Sequence, residues 1–98
     1  MVPVIYAPEA ERDLDGITAY IAKDNPKAAE QFGYRLISRA ELLGAFPQLG
    51  RPVDGKRYVR VLLESPVQIY YRLAPDGRYV EILRFWHASR DPDSLSVD

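Results

Sequence analysis

From Val67 to Leu73 the chain sets Val67, Ile69, Tyr71 and Leu73 against Gln68, Tyr70 and Arg72, a period of two that predicts a strand with one buried face. Tyr58 to Leu63 reads as the strand before it, with a sharp turn at Ser65-Pro66. Arg78 to His87 reads as the strand after it, so the three make an antiparallel meander. Val80 and Ile82 lie on one side of that last strand and Leu83 and Phe85 on the other, so it is either central in its sheet or covered by a partner. The intervening Ala74-Pro75-Asp76-Gly77 is a turn in which proline presets the second position and glycine takes a positive φ.

The first half of the chain changes period. Ala10, Leu14, Ile17 and Ile21 recur at steps of four, three and four, which places them on one helical stripe. Pro8 suits the first position of that helix, and Glu9, Glu11 and Asp13 sit where the positive end of its dipole favours them. Asp24-Asn25-Pro26 ends it and begins another, with Asn25 as N-cap. In the second helix Ala29, Phe32, Leu36, Ala40 and Leu43 form the core stripe, with Gly33 and Ile37 alongside. So short a link makes the helices antiparallel neighbours.

Val2 to Tyr6 is β-branched and aromatic and predicts a short first strand. Gly44 to Gly55 is rich in glycine and proline and reads as a loop without a regular element, with Phe46, Leu49 and Val53 as apolar anchors. The expected architecture is α+β, in the order β-α-α-β-β-β, with a helical hairpin packed on one face of a small antiparallel sheet. The opposite face is left available.

Length sharpens this picture. At 98 residues the chain is expected to be a single domain, residues 1–98. It has no cysteine, so neither disulfides nor thiolate chemistry is available. No stretch reaches the ~20 apolar residues of a membrane span and the N-terminus has no leader pattern, so a cytoplasmic protein without a membrane partner is expected.

Charge is divided along the chain. Arg51 to Arg90 holds eight basic residues against four acidic, whereas the first fifty residues hold five against seven and the tail adds Asp91, Asp93 and Asp98. A net charge of -1 argues against a generic nucleic-acid coat, and any anion-binding surface is expected on the C-terminal half.

Candidate chemistry converges on the end of the last strand. The only histidine and the only tryptophan are adjacent in Trp86-His87-Ala88-Ser89-Arg90-Asp91-Pro92. There is no phosphate loop, no multi-histidine metal set and no nucleophile elbow, so neither metal nor cofactor is expected. Histidine titrates near neutrality and serves as general acid or base. Arginines stabilise charge developing on phosphate, and Tyr70 or Tyr71 could stack on a base. On that reading His87, Arg60, Arg84 and Tyr71 form a metal-free RNA-cleaving set. On the structural reading His87 caps the strand and Arg90 pairs with Asp91 or a helix terminus. Arg60, Arg72 and Arg84 either form a basic stripe or solvate an exposed sheet face. Tyr20, Tyr34, Tyr58 and Tyr79 read as amphipathic packing.

Several segments together resemble one family. Pro8-Glu9-Ala10 leading to Asp13-Leu14 and Ile17, Leu49-Gly50-Arg51-Pro52, Val59-Arg60-Val61, Ile69-Tyr70-Tyr71-Arg72, and Ile82 through Pro92 resemble the RelE/ParE toxin superfamily of type II toxin-antitoxin systems. The likeness runs over about residues 4 to 92 and is nearer the ParE branch. It implies a toxin that inhibits growth and serves plasmid stabilization. ParE-like members poison DNA gyrase and block replication. RelE-like members cut messenger RNA on the ribosome, with His87 as the general acid/base here. The basic, lysine-rich surface of the ribosome-dependent members is missing, since the lysines are only Lys23, Lys27 and Lys56. For the gyrase reading Arg60, Arg84, Trp86, His87 and Arg90 are target-binding candidates, with Trp86 as apolar anchor. The likeness further implies a ParD-like or RelB-like antitoxin that folds on contact, for which Tyr20, Phe32 and Tyr34 and an open edge at the first strand are docking candidates.

Overall fold

The computed structural model describes residues 1–97; Asp98, the last acid of the tail, lies outside them. The order is β1 (Val4–Tyr6), α1 (Pro8–Ala22), α2 (Pro26–Leu42), β2 (Arg51–Pro52), β3 (Val59–Glu64), β4 (Val67–Leu73) and β5 (Val80–His87), followed by a 3-10 turn at Pro92–Ser94. The five strands lie in the order β1-β5-β4-β3-β2. All neighbours are antiparallel except β1 and β5, which run parallel with Val4 beside Val80 and Tyr6 beside Ile82.

The helices form as their patterns predict. Pro8 opens α1, and Asn25 Oδ1 accepts from the Ala28 N–H at 3.0 Å to cap α2, satisfying a donor that has no partner within the helix. Ala10 and the α2 stripe of Phe32, Leu36, Ala40 and Leu43 are buried against Val67, Ile69, Tyr71, Val80, Ile82 and Phe85, with Leu14, Ile17 and Ile21 packed at the margin. Glu64 at the end of β3 meets Arg35 and Arg39 of α2 at 3.6 and 3.2 Å, and the Tyr6 hydroxyl donates to Glu41 Oε2 at 2.6 Å. Burial and the neighbouring Glu41 hold the Tyr6 phenol well above its usual range.

Four expectations change. The loop from Gly44 to Gly55 contains the two-residue β2, pairing Arg51 with Val61 and Pro52 with Arg60; proline is tolerated there because the strand is at the sheet edge. The last sheet-forming stretches begin later than the sequence pattern implies, since Tyr58 has φ 65° and Tyr79 belongs to the turn in which its carbonyl accepts from Ala74 N–H. The loop is not anchored by Phe46 and Leu49, which are exposed. Finally, the sheet face turned away from the helices is covered: Val59, Val61, Tyr70, Leu83 and Trp86 pack with Val53, Leu95 and Val97.

β5 explains its own double-sided apolar pattern. It is flanked by β1 and β4, and a register shift leaves Leu83 as an extra residue between the Ile82–Tyr71 and Arg84–Tyr70 pairs. This bulge flips the alternation, so Val80, Ile82 and Phe85 all face the helices while Leu83 and Trp86 face the other way.

Tyr71 ties the loop to the sheet. Its hydroxyl donates to the Pro47 carbonyl at 2.7 Å and accepts from Gly50 N–H at 2.8 Å. Burial pushes its phenol up, against the Gly50 hydrogen bond and the Arg60 charge. A Cβ on Gly50 would lie 2.7 Å from the Val61 carbonyl oxygen and 2.8 Å from the Tyr71 hydroxyl. Gly50→Ala is therefore expected to cost about 1–3 kcal/mol by forcing these groups apart. Urea denaturation checks it, and a midpoint equal to that of the unaltered chain contradicts it.

Candidate functional site

β1 stops at Tyr6, opposite Ile82, so Arg84 to His87 have β4 on one side and no strand on the other. The helical hairpin fills part of that gap. Asp13 of α1 accepts the outward Phe85 N–H at 3.1 Å and holds Arg84 through Nε at 2.7 Å and Nη2 at 3.0 Å. The pair is mostly buried, with the Arg84 and Asp13 side chains 17% and 10% exposed. The hydrogen bond to Asp13 raises the Arg84 pKa further, outweighing burial, so the guanidinium stays charged and fixed.

Beyond Arg84 the sheet end becomes aromatic. Trp86 is 2% exposed, with Arg84 and Arg90 placed over its ring at 5.1 and 4.1 Å, a cation–π arrangement. Its Nε1–H is buried without an acceptor among the described residues. His87 Nδ1 accepts from Ser89 N–H at 3.1 Å and lies 2.7 Å from Ser89 Oγ; its carbonyl accepts from Arg90 N–H at 2.9 Å. A backbone N–H donating to Nδ1 leaves the proton of a neutral ring on Nε2.

A groove of about 850 Å³ runs between α1 and this end of β5. Ile17, Tyr20, Ile21, Phe32 and Phe85 line it apolarly, while Arg12, His87 and Arg90 supply cationic or polar groups. With Asp13 neutralised by Arg84, the groove suits an apolar segment that carries negative charge. A second, shallower groove of about 540 Å³ lies between α1 and α2 and includes Ala29, Gly33, Tyr34 and Ile37. Tyr20 and Phe32 thus share one groove and Tyr34 borders the other. Tyr20, Tyr34 and Tyr58 are exposed rather than packed.

The structure does not gather the proposed nuclease residues. Tyr71 is fully buried. Arg60 lies beside Tyr71 in register and donates to the Gly50 carbonyl at 2.6 Å, on the helix side of the sheet. Arg72 and Arg84 lie with Tyr70 on the other side, Arg72 paired to Glu81 at 2.8 Å. No common arginine stripe forms, and neither Tyr70 nor Tyr71 presents a ring for stacking. His87, Arg90 and Trp86 do come together. Among the described residues no group of three histidine, cysteine, aspartate or glutamate side chains could hold a metal ion, and no helix is long and apolar enough to cross a membrane.

Sequence reasoning missed the central part of Asp13. Its signal was present: position 13 falls three after Ala10 and four before Ile17, so the carboxylate sits within the inward stripe, where a charge needs a partner.

The chain thus lays a helical hairpin on one face of a five-stranded sheet, with Trp86 between Arg84 and Arg90 at the end of the interior strand β5, and this fold is shared with a solved toxin-antitoxin structure. The toxin in the chromosomal ParDE toxin-antitoxin system of P. aeruginosa superposes with a TM-score of 0.77 at 26% identity, covering 91% of this chain and 98% of that one. The ParE toxin of the type II toxin-antitoxin system parDE matches over residues 4–92, and the chain belongs to this family. It is a toxin of a type II toxin-antitoxin system. It is 41% identical to the putative toxin Y4kP of Sinorhizobium fredii over 81% of this chain and 80% of that protein. It is 32% identical to the toxin RelE2 of Caulobacter vibrioides over 92% and 99%.

Proposed function

We propose that this toxin acts on DNA gyrase and blocks replication, and that a cognate ParD-like or RelB-like antitoxin neutralises it. The observation that carries the gyrase reading over RNA cleavage is the dispersal of the general acid–base set. Tyr71 is buried, Arg60 is committed to the Gly50 carbonyl and Arg84 to Asp13, and none of the three lines the groove that His87 reaches. The match to the ParE family and the likeness to the ParDE toxin support the same branch. Arg90, His87 and Arg12 then serve as protein-docking groups at the groove rim.

The antitoxin is assigned to the same groove, where Tyr20 and Phe32 meet the cationic rim. An amphipathic acidic segment that folds on contact fits both its apolar lining and its charge. Tyr34 would take part only if the segment continued across the hairpin to the second groove.

RelE-like cleavage of messenger RNA on the ribosome is the second reading, kept because His87 reaches a groove that also holds Arg12 and Arg90. Induction of the toxin without antitoxin, followed by parallel labelling of DNA and protein synthesis, separates the two. DNA synthesis is expected to stop first, and His87→Ala is expected to change the time course less than about twofold, since a general acid or base would contribute about 10²–10⁴-fold. Early arrest of translation with codon-linked transcript cuts, lost in His87→Ala, overturns the gyrase reading.

A further inference from the structure

The sheet face opposite the helices is closed by the segment at residues 95–97. Val59, Val61, Tyr70, Leu83 and Trp86 form its floor, and Leu95 and Val97 pack on it. The segment arrives from the turn at Pro92–Ser94, where Asp91 Oδ1 accepts from Asp93 N–H at 2.9 Å and the Asp91 carbonyl from Ser94 N–H at 3.1 Å. Leu95 to Val97 joins no strand ladder. The Ser96 carbonyl accepts from Arg84 Nη1 only at 3.5 Å, beyond the usual range for such bonds.

Two features define what else would fit. Leu95 and Val97 are separated by one residue, so in an extended chain their side chains point the same way. Trp86 belongs to the same floor, and its Nε1–H is buried without an acceptor among the described residues, an unfavourable state that a carbonyl from an incoming chain would relieve. Arg90 over the Trp86 ring and exposed Arg51, which is opposite Val61, supply positive charge to this side of the sheet.

We propose that this face is a peptide-docking surface which the C-terminal tail occupies in the free protein, and that it accepts an extended partner segment with aliphatic side chains two residues apart and carboxylates beside them. Binding exchanges the tail for the partner. The face lies across the sheet from the groove assigned to the antitoxin, so the inference stands whether or not gyrase is the target.

Trp86 is the sole tryptophan and reports directly on the exchange. In the full-length chain, Leu95→Asp with Val97→Asp is expected to shift Trp86 emission to the red while far-UV circular dichroism is unchanged. A labelled peptide of sequence Asp-Ser-Leu-Ser-Val-Asp is expected to bind this variant at least about tenfold tighter than the unaltered chain, because a tethered tail competes at high effective concentration. The bound peptide should restore the emission. An unrelated peptide keeping the Leu-x-Val spacing should bind comparably, and one with Leu-x-x-Val spacing at least about tenfold more weakly, its second side chain pointing away from the floor. Should the double substitution unfold the chain, Val97→Ala is read in the same way, with a smaller gain in peptide affinity expected. Unchanged Trp86 emission in the folded variant, equal peptide binding with and without the tail contacts, or equal binding of the two spacings overturns the proposal.

Discussion

Asp13→Ala will destabilise the folded chain by about 3–5 kcal/mol, the cost of removing one partner from a buried ion pair. The Asp13 carboxylate serves two needs at once: it balances the Arg84 guanidinium at 2.7 and 3.0 Å and takes the Phe85 N–H at 3.1 Å. Without it a mostly buried cation and a backbone donor are both left without that partner, on the stretch of β5 that has β4 on one side and no strand on the other. Asp13→Asn keeps an acceptor but removes the charge, so its loss should be smaller. Equilibrium denaturation of both variants measures this, and a change below about 1 kcal/mol, as for an exposed pair, would show that Asp13 does not close the edge.

Phe85→Ala is expected to cost about 3–5 kcal/mol, the usual range for emptying a buried aromatic site. Phe85 is 1% exposed, stacks on Tyr6 with ring centroids 6.4 Å apart, and also lines the groove. The substitution should therefore weaken both the fold and whatever segment docks beside it. Denaturation gives the first effect. Binding of the cognate antitoxin, measured at a temperature where the variant is still folded, gives the second; unchanged antitoxin affinity would remove Phe85 and its surroundings from the docking surface.

Local chemistry made much of this fold readable in advance. The stripes of α1 and α2, the Asn25 cap and the positive φ of Gly77 follow from residues close in sequence, and each element formed where those residues placed it. The alternation of β4 named its buried side correctly. Long-range geometry was hidden. The bulge at Leu83 resolves the ambiguous faces of β5, yet it exists only in register with Tyr70 and Tyr71. Coverage of the far sheet face depends on Leu95 and Val97 returning across the sheet, which no periodicity announces.

The candidate site was legible in a similar, partial way. Trp86, His87 and Arg90 are adjacent in sequence and remain together in the structure. The arginines and tyrosine on neighbouring strands were not readable as a group, because strand pairing sends Arg60 and Tyr71 to one side and Arg72 and Arg84 to the other. What a basic residue does there depends on its nearest acceptor: the Gly50 carbonyl, Glu81 or Asp13. Each acceptor is far away in sequence or on another strand.

The central claim is that this ParE-family toxin works on gyrase through protein contact rather than by cutting RNA. Gyrase supercoiling of relaxed plasmid, measured with purified toxin freed of its antitoxin, tests it most directly. Inhibition at micromolar toxin that is retained by His87→Ala and reversed by added antitoxin is the expected result. Undiminished supercoiling by gyrase in the presence of folded toxin, from a preparation that arrests growth when expressed, would contradict it.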